Sequence, residues 1–491
     1  MESNGWSQLW LTTPGGASDE IELVQGFAAG YLEAALTHTR ISQHYTNLRQ
    51  EEFSKLPNAT VAKFGQFIAQ NDAWVQRQIQ DQVWQHRKLS PYWHTLRWLY
   101  SQLDGLVAGY NAHRKPCDAV MGRAAFLMVQ TQGDAEDIIK AVTSAVERPD
   151  PTHMSPAARR AYELRTSHCS ALVKVADDFS ELFTGHTMWW QYYAMLRVLK
   201  HQSFAVRGWA KDRMTAQISG YPGTISSTDD FYTLPASQMA VMETTIPVTN
   251  MTLFDEVRPS SILYWARVMV ANYVAVDGAS WMETFGQHNS GTYNNMWMVV
   301  DYKKFTPGHV LPPGTLTVGE QVPGYWYYDD QTAVLATGHW PSFNKAFYAS
   351  TAQRSGQAAM VQAHGPEESW QLAKRAQIFR RDVGQLRSVP DVQRFLRQNR
   401  YQTDPISAGQ PCDTIACRGD LDASSPAAVG AIDGKVVSAM MLRNATLAIV
   451  SGPTHDDQPV YDWNTAPATV RSMPHAGQPQ RFDFDWLNAT M

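Results

Sequence analysis

The sequence has no apolar run long enough to cross a membrane. Its best stretch, Val268 to Val276, falls short of the ~18–20 residues a span needs and is bracketed by Arg267 and Asp277. Charge is sparse as well. Charged residues make up 18% of 491 positions, and the formal net charge is −5. The absence of a lysine and arginine surplus and a pI of about 6.3 argue against a nucleic-acid partner. The opening residues, Met1-Glu2-Ser3-Asn4-Gly5, carry neither the basic segment nor the apolar stretch of a signal peptide. Either the protein is not secreted, or the chain begins after its signal.

Several familiar chemistries are missing. There is no G-x-S-x-G elbow, which argues against an ordinary α/β-hydrolase. There is no G-x-x-x-x-G-K-S/T phosphate loop and no H-E-x-x-H zinc motif. The fifteen histidines are scattered, so no metal and no cofactor are expected. The acidic pairs Asp229-Asp230 and Asp456-Asp457 read as solvated turn residues rather than a general acid and base. No internal repeat and no low-complexity segment occurs.

What is abundant is apolar and aromatic. Hydrophobic residues reach 44%, with seventeen tryptophans, twenty tyrosines and eighteen phenylalanines. That load implies a large core with aromatic-lined loops, or a pocket for an acyl ligand. The first third reads as helical. Asp19 is placed as the cap of a helix whose Ile21, Val24, Phe27, Ala28, Tyr31, Leu32, Ala35 and Leu36 share one face. Ser90-Pro91 opens a second helix with Leu96, Leu99, Leu103 and Leu106 recurring. A third starts at Asp134 and runs through Val146, before Arg148-Pro-Asp-Pro-Thr152 breaks the pattern.

Beyond that point the character changes. Cys169 to Val175 predicts a strand, and Leu182 to Met188 its hairpin partner across Asp177-Asp178. A helix is expected to follow, carrying Tyr193, Met195, Leu196 and Leu199. Later strands are expected at Met239–Thr245, Trp297–Tyr302, Thr315–Gln321 and Thr332–Leu335, punctuated by glycine and proline. Strands mixed with helices without regular alternation predict an α+β arrangement of packed layers.

Four cysteines are present, Cys117, Cys169, Cys412 and Cys417. Cys412 and Cys417 share a Gly/Pro/Asp-rich loop and are close enough for a small disulfide, a chance pairing, or half of a metal site. Asparagines 58, 250, 444 and 488 (Asn58, Asn250, Asn444 and Asn488) stand in N-x-Ser/Thr sequons, candidate glycosylation sites. Cys169 opens a strand-like run. If the bond before it is cut, Cys169 carries a free α-amine of ordinary pKa about 8, able to act as base for its own thiol.

Longer stretches carry a resemblance. They are Cys169-Ser-Ala-Leu-Val-Lys, Gly185-His-Thr-Met-Trp-Trp190, Met195-Leu-Arg197, the run Tyr221 to Tyr232, and Glu243-Thr-Thr245. The series continues with Asn289 to Trp297, Gly338 to Asn344, Arg375 to Asp382, Ala416 to Leu421 and Gly430 to Lys435. Even Ala28 to Leu36 near the start fits. In this order, over nearly the whole chain, they resemble the phospholipase B-like family.

The resemblance implies a four-layer αββα sandwich of N-terminal-nucleophile hydrolase type, preceded by a helical segment. Self-cleavage of the His168–Cys169 bond is implied, leaving residues 1–168 and 169–491 associated as one globular unit. Cys169 is then the nucleophile, with His186 beside it and Thr244 near the free amine. Asn344 becomes the oxyanion donor, and Arg375 a basic residue behind the thiol. A one-residue shift would exchange Thr244 for Thr245. Trp189 reads as pocket wall, and Asn294 and Asn295 as further substrate contacts. Arg418-Gly-Asp420 sits within a matching loop and reads as structural. The implied activity is hydrolysis of a phospholipid or another acyl-bearing substrate through a thioester, in a lysosomal or secreted setting. An amidase, or a lipid- or glycan-binding protein cleaved only in maturation, is the alternative.

Overall fold

A computed structural model describes residues 3–15, 18–86, 88–166, 169–205, 213–228 and 230–491. His168, the residue before the expected cleavage point, and Asp229 of one acidic pair lie outside them.

The helices are α1 (Asp19–Leu48), α2 (Asn58–Gln85), α3 (Pro91–His113), α4 (Arg123–Gln130), α5 (Gln132–Val142) and α6 (Pro156–Thr166), then α7 (Tyr264–Val274), α8 (Gly278–Gly286), α9 (Thr332–Leu335), α10 (Ala349–Ser355), α11 (Gln357–His364), α12 (Lys374–Asp382), α13 (Val389–Leu396), α14 (Ala439–Arg443) and α15 (Ala468–Arg471). The expected start of α3 is present. Ser90 accepts from the backbone of Trp93 and Pro91 takes the first helical position. Leu96, Leu99, Leu103 and Leu106 are fully buried.

The first helix departs from its expected orientation. Ser18 is the cap and Asp19 the first helical residue. The apolar stripe predicted to face the core faces solvent instead: Val24 is 65% exposed, Leu32 54% and Leu36 72%. The buried side carries Gly26, Ala29, Gly30, Glu33 and Ala34. Backbone contact explains this reversal. A Cβ added at Gly30 would stand 1.9 Å from the Gln102 carbonyl oxygen of α3. One added at Gly105 would stand 2.0 Å from the Phe27 oxygen of α1. Only the glycine face of each helix permits that approach, and a buried ion pair between Glu33 and Lys200 at 2.6 Å fixes the choice.

The strands are β1 (Trp6–Thr12), β2 (Ser170–Val175), β3 (Leu182–Thr187), β4 (Trp189–Gln191), β5 (Arg197–Ala205), β6 (Arg213–Gly220), β7 (Phe231–Leu234), β8 (Met239–Thr245) and β9 (Asn295–Asp301). They continue with β10 (Leu316–Val322), β11 (Tyr325–Asp330), β12 (His339–Ser342), β13 (Val429–Ala431), β14 (Asp433–Ser438), β15 (Thr446–Ser451), β16 (Tyr461–Asp462), β17 (Arg481–Phe482) and β18 (Leu487–Thr490). An eight-stranded sheet runs β1-β5-β6-β7-β8-β9-β10-β11, and a six-stranded sheet runs β12-β2-β3-β14-β15-β18. The first pair, β1 with β5, is parallel. The N-terminal segment is therefore not purely helical, because it supplies an edge strand to the larger sheet.

The two sheets face each other across a shared core. Val173, Val437 and Ile449 of the six-stranded sheet pack with Met242, Met298 and Val318 of the other. The outer face of the larger sheet, with Ile218, Val241 and Trp297, packs on α1, α3, α7 and α8. The outer face of the smaller sheet, with Leu172 and Val436, packs on α12 and α13. This is an α+β arrangement of helices on paired sheets.

Two local expectations fail. Thr332–Leu335 is a single helical turn, and the Asp330 carboxylate accepts from the Thr332 N–H and hydroxyl at its start. The helix expected through Tyr193 and Leu199 is one 3-10 turn, Tyr192–Ala194, followed by β5. Among the described residues, no helix is long and apolar enough to cross a membrane.

The glycine contact yields a stability test. Gly105→Ala should lower the unfolding free energy by about 1–3 kcal/mol, because the added methyl meets backbone that cannot turn aside. Gly65→Ala, within α2 and with nothing inside 4 Å, should stabilise by up to ~1 kcal/mol. Denaturant titration of both variants checks the pair.

Candidate active site

Cys169 lies between α6 and β2, with its side chain fully buried. Its φ is 91°, in the left-handed region that costs a non-glycine residue of order 1–3 kcal/mol. The thiol donates to Met188 Sδ at 3.2 Å. The antiparallel register of β2 with β3 sets Ala171 opposite His186 and brings the histidine beside the thiol. His186 Nε2 lies 3.0 Å from the Glu243 carbonyl oxygen, so that nitrogen carries the proton and bridges the two sheets. The Cys169 sulfur, a His186 ring nitrogen and a Glu243 carboxylate oxygen all lie within 4.8 Å of one another.

Arg375, on α12, holds this corner from the other side. One guanidinium nitrogen donates to the Cys169 carbonyl at 2.6 Å and to Ser170 Oγ at 3.2 Å. The other donates to Asn344 Oδ1 at 2.6 Å. Asn344 itself adopts φ 68° and donates through Nδ2 to the Thr245 carbonyl at 2.8 Å. The guanidinium carbon sits 4.3 Å from the centre of the Trp189 ring, a cation–π contact. Trp189 Nε1 donates in turn to the Ile415 carbonyl at 3.2 Å, which also accepts from Ser170 Oγ at 2.9 Å. Ile415 lies between Cys412 and Cys417, which form a disulfide, so a closed loop braces Trp189 and Ser170 together.

Behind His186 is a buried ionic group. Lys435 Nζ contacts both Asp433 oxygens at 2.8 and 2.9 Å, and Arg197 reaches Asp433 at 2.8 Å. Burial pulls Lys435 down to about 8 even with Asp433 beside it. Burial, then the Lys435 charge, holds His186 well below its ordinary value, so the ring is neutral. Burial, then the Glu243 charge, pushes the Cys169 thiol well above its ordinary value, against the Trp189 backbone N–H that favours thiolate. Burial lowers Arg375 to about 10. On the far side, Glu243 accepts from Tyr293 at 3.0 Å. Burial and then the Asp230 charge raise the Glu243 carboxyl well above the carboxylate range. Asp230 is raised by burial to about 7.

The structure brings Cys169, His186, Asn344, Arg375 and Trp189 together. Thr244 and Thr245 point to opposite sides of β8. Thr244 Oγ1 pairs with Ser342 Oγ at 2.5 Å, whereas Thr245 offers its carbonyl to Asn344. Asn294 is tied to Asp137 at 2.8 Å and lines a small cavity of about 30 Å³ with Thr245 and Tyr293. Asn295 does not line that cavity. It faces Thr245 across the sheet, fully buried, and neither its amide oxygen nor its nitrogen has a hydrogen-bond partner among the described residues. The sequon asparagines Asn58, Asn444 and Asn488 are exposed, and Asn250 is half-buried with its amide on the Arg354 carbonyl.

A cavity of about 270 Å³ adjoins the site. Trp189, Asn344 and Arg375 line one wall, and Tyr162, Glu163 and Thr166 of α6 another. The helix that leads into Cys169 thus shares the cavity with the groups around the thiol. Sequence reasoning missed Glu243, Asp230, Asp433 and Lys435 as neighbours of Cys169. Their spacing along the chain carries no motif, and only the pairing of β3 with β14 and of β7 with β8 assembles them.

Comparison with known proteins places this geometry in a family. Residues 1–489 match the phospholipase B family. The chain is similar to phospholipase B-like protein B of Dictyostelium discoideum, 36% identical over 100% of this chain and 84% of that protein. It is similar to phospholipase B-like 1 of Bos taurus, 35% identical over 99% of this chain and 86% of the relative. A phospholipase B of Crotalus adamanteus is also 35% identical, over 99% of this chain and 86% of its own length.

Burial of the thiol has a direct readout. In the uncleaved chain, a thiol reagent should modify exposed Cys117 quickly and leave Cys169 untouched until denaturant is added. Peptide mapping after brief labelling checks this.

Proposed function

The chain belongs to the phospholipase B family, and we propose that it hydrolyses acyl esters of lipids with the Cys169 thiol as nucleophile. In this reading the fold is the αββα sandwich of N-terminal-nucleophile hydrolases, and cleavage of the His168–Cys169 bond frees the nucleophile's amine. The observation that carries the proposal is the corner at Cys169. A cysteine in a strained conformation, at the first residue before a central strand, is held through its carbonyl by Arg375. Strain of this kind persists where surrounding structure over-determines it, and it gathers at functional sites.

The steps follow from that corner. The Cys169 sulfur attacks the His168 carbonyl carbon, the peptide C–N bond breaks, and a thioester forms. Water then releases residues 1–168 from 169–491. The new α-amine serves as base for the thiol, which attacks the substrate carbonyl and forms an acyl thioester that water resolves. The Asn344 amide, held by Arg375, stabilises the oxyanion. Trp189 forms part of the acyl pocket.

The fragments stay together in this scheme because the interface is the core itself. β1 pairs with β5 along seven residues, and α1 and α3 cover the larger sheet. The Cys412–Cys417 disulfide and the exposed sequons at Asn58, Asn444 and Asn488 support a lysosomal or secreted address.

Intact mass and N-terminal sequencing test the proposal. Wild type should give two co-purifying fragments, one beginning Cys-Ser-Ala-Leu, and Cys169→Ala a single chain of about 55.1 kDa with no esterase activity. Full activity in the Cys169→Ala variant would remove Cys169 from the mechanism.

A further inference from the structure

The roles above leave one group beside the thiol without a task. Glu243 is fully buried on β8, and one of its carboxylate oxygens accepts from Tyr293. Its other oxygen, Oε2, has no hydrogen-bond partner among the described residues. The carboxylate lies within 4.8 Å of both the Cys169 sulfur and the His186 ring. A buried carboxylate oxygen left unsatisfied is costly and calls for an explanation.

Its surroundings restrict that explanation. Asp230, the residue before β7, faces Glu243, and its backbone carbonyl accepts from the Glu243 N–H at 3.2 Å. Asp230 is itself buried and accepts from the Tyr232 hydroxyl. Tyr264 of α7 and Tyr293 complete that side. Across the sheets stand His186 of β3 and Lys435 of β14, with Asp433 and Arg197 behind the lysine. Two carboxyl groups in one buried site repel as a dianion, so together they hold a proton over a wide pH range. A pair of that kind can both take up a proton and give one back.

The self-cleavage step needs that service. Converting the amide of Cys169 to a thioester moves one proton from sulfur to nitrogen. We propose that Glu243 carries this proton, an inference that rests on the maturation at Cys169 proposed above. In the ionised form of Glu243, the S–H proton passes to its carboxylate. The sulfur electron pair forms the C–S bond to the His168 carbonyl carbon. The C–N bond breaks, its electron pair stays on the Cys169 nitrogen, and Glu243 returns the proton there to give the amine. Glu243 ends the cycle unchanged. His186 positions the residue by holding its backbone carbonyl.

The experiment follows fragment formation by intact mass, across acid to alkaline pH, in freshly folded wild type, Glu243→Gln and Asp230→Asn. Wild type should give a bell-shaped rate profile, because the relay needs Glu243 ionised and the Cys169 thiol still protonated. Glu243→Gln should cleave at least ~10²-fold more slowly, the usual scale for losing a proton-transfer group. Asp230→Asn removes the charge that raises Glu243, so its acid limb should move to lower pH while cleavage continues. A Glu243→Gln chain that cleaves at the wild-type rate with the wild-type profile overturns the inference but leaves Cys169 intact as nucleophile. If Glu243→Gln does not fold, an unmoved acid limb in Asp230→Asn overturns it instead. A folded wild type that never cleaves refutes the proposed maturation, and the relay falls with it.

Discussion

One guanidinium sets the geometry on which the rest of the site depends. Arg375 is placed by α12 on the outer face of the smaller sheet, yet its hydrogen bonds reach the carbonyl of Cys169, the hydroxyl of Ser170 and the amide of Asn344. Burying a cation is costly unless its donors are matched, and here three acceptors and the Trp189 face meet it. Lysine could not reproduce that planar fork. Arg375 contacts both Cys169 and Asn344, each in a left-handed backbone conformation, so one guanidinium ties the position of the cysteine to that of the amide.

Two further electrostatic groups flank the thiol. On one side, the buried Arg197–Asp433–Lys435 group spans the two sheets, since Arg197 begins β5 and Lys435 lies on β14. On the other, the Asp230 and Glu243 carboxyls lie among tyrosine hydroxyls. The net effect at Cys169 is a protonated thiol beside a neutral imidazole. The proposed cleavage would add an α-amine to the residue whose sulfur lies within 4.8 Å of the Glu243 carboxylate, and so change the charge balance there. The α6 helix adds a steric condition, because it lines the cavity that a substrate would enter.

Much of this was legible in the sequence, and the exceptions have physical causes. Ser90-Pro91 and the leucines after it, and the strand-like run at Met239–Thr245, are local signals, and α3 and β8 follow them. The α1 stripe misled because contact between helix backbones overrode apolar periodicity, and Gly26 and Gly30, not Leu32 and Leu36, face α3. The α2 helix went unread although Phe64, Phe67, Ile68, Val75 and Ile79 recur at helical spacing and are buried. At Tyr193–Leu199, aromatic and aliphatic residues fit either period, and pairing with β1 and β6 chose a strand. Cys169, His186, Asn344 and Arg375 were reachable through resemblance over long stretches. Glu243 and Asp230 were not, because a buried carboxyl gains meaning only from neighbours that distant strands deliver.

The central claim is that the Cys169 sulfur forms the bond to the acyl group. Acid-quenched intact mass of the 169–491 fragment during turnover of a synthetic phosphatidylcholine tests it directly. The expected result is a gain equal to one acyl chain, mapped to Cys169 and removed by hydroxylamine. Steady turnover with no acylated fragment, persisting unchanged in Cys169→Ala, would contradict it.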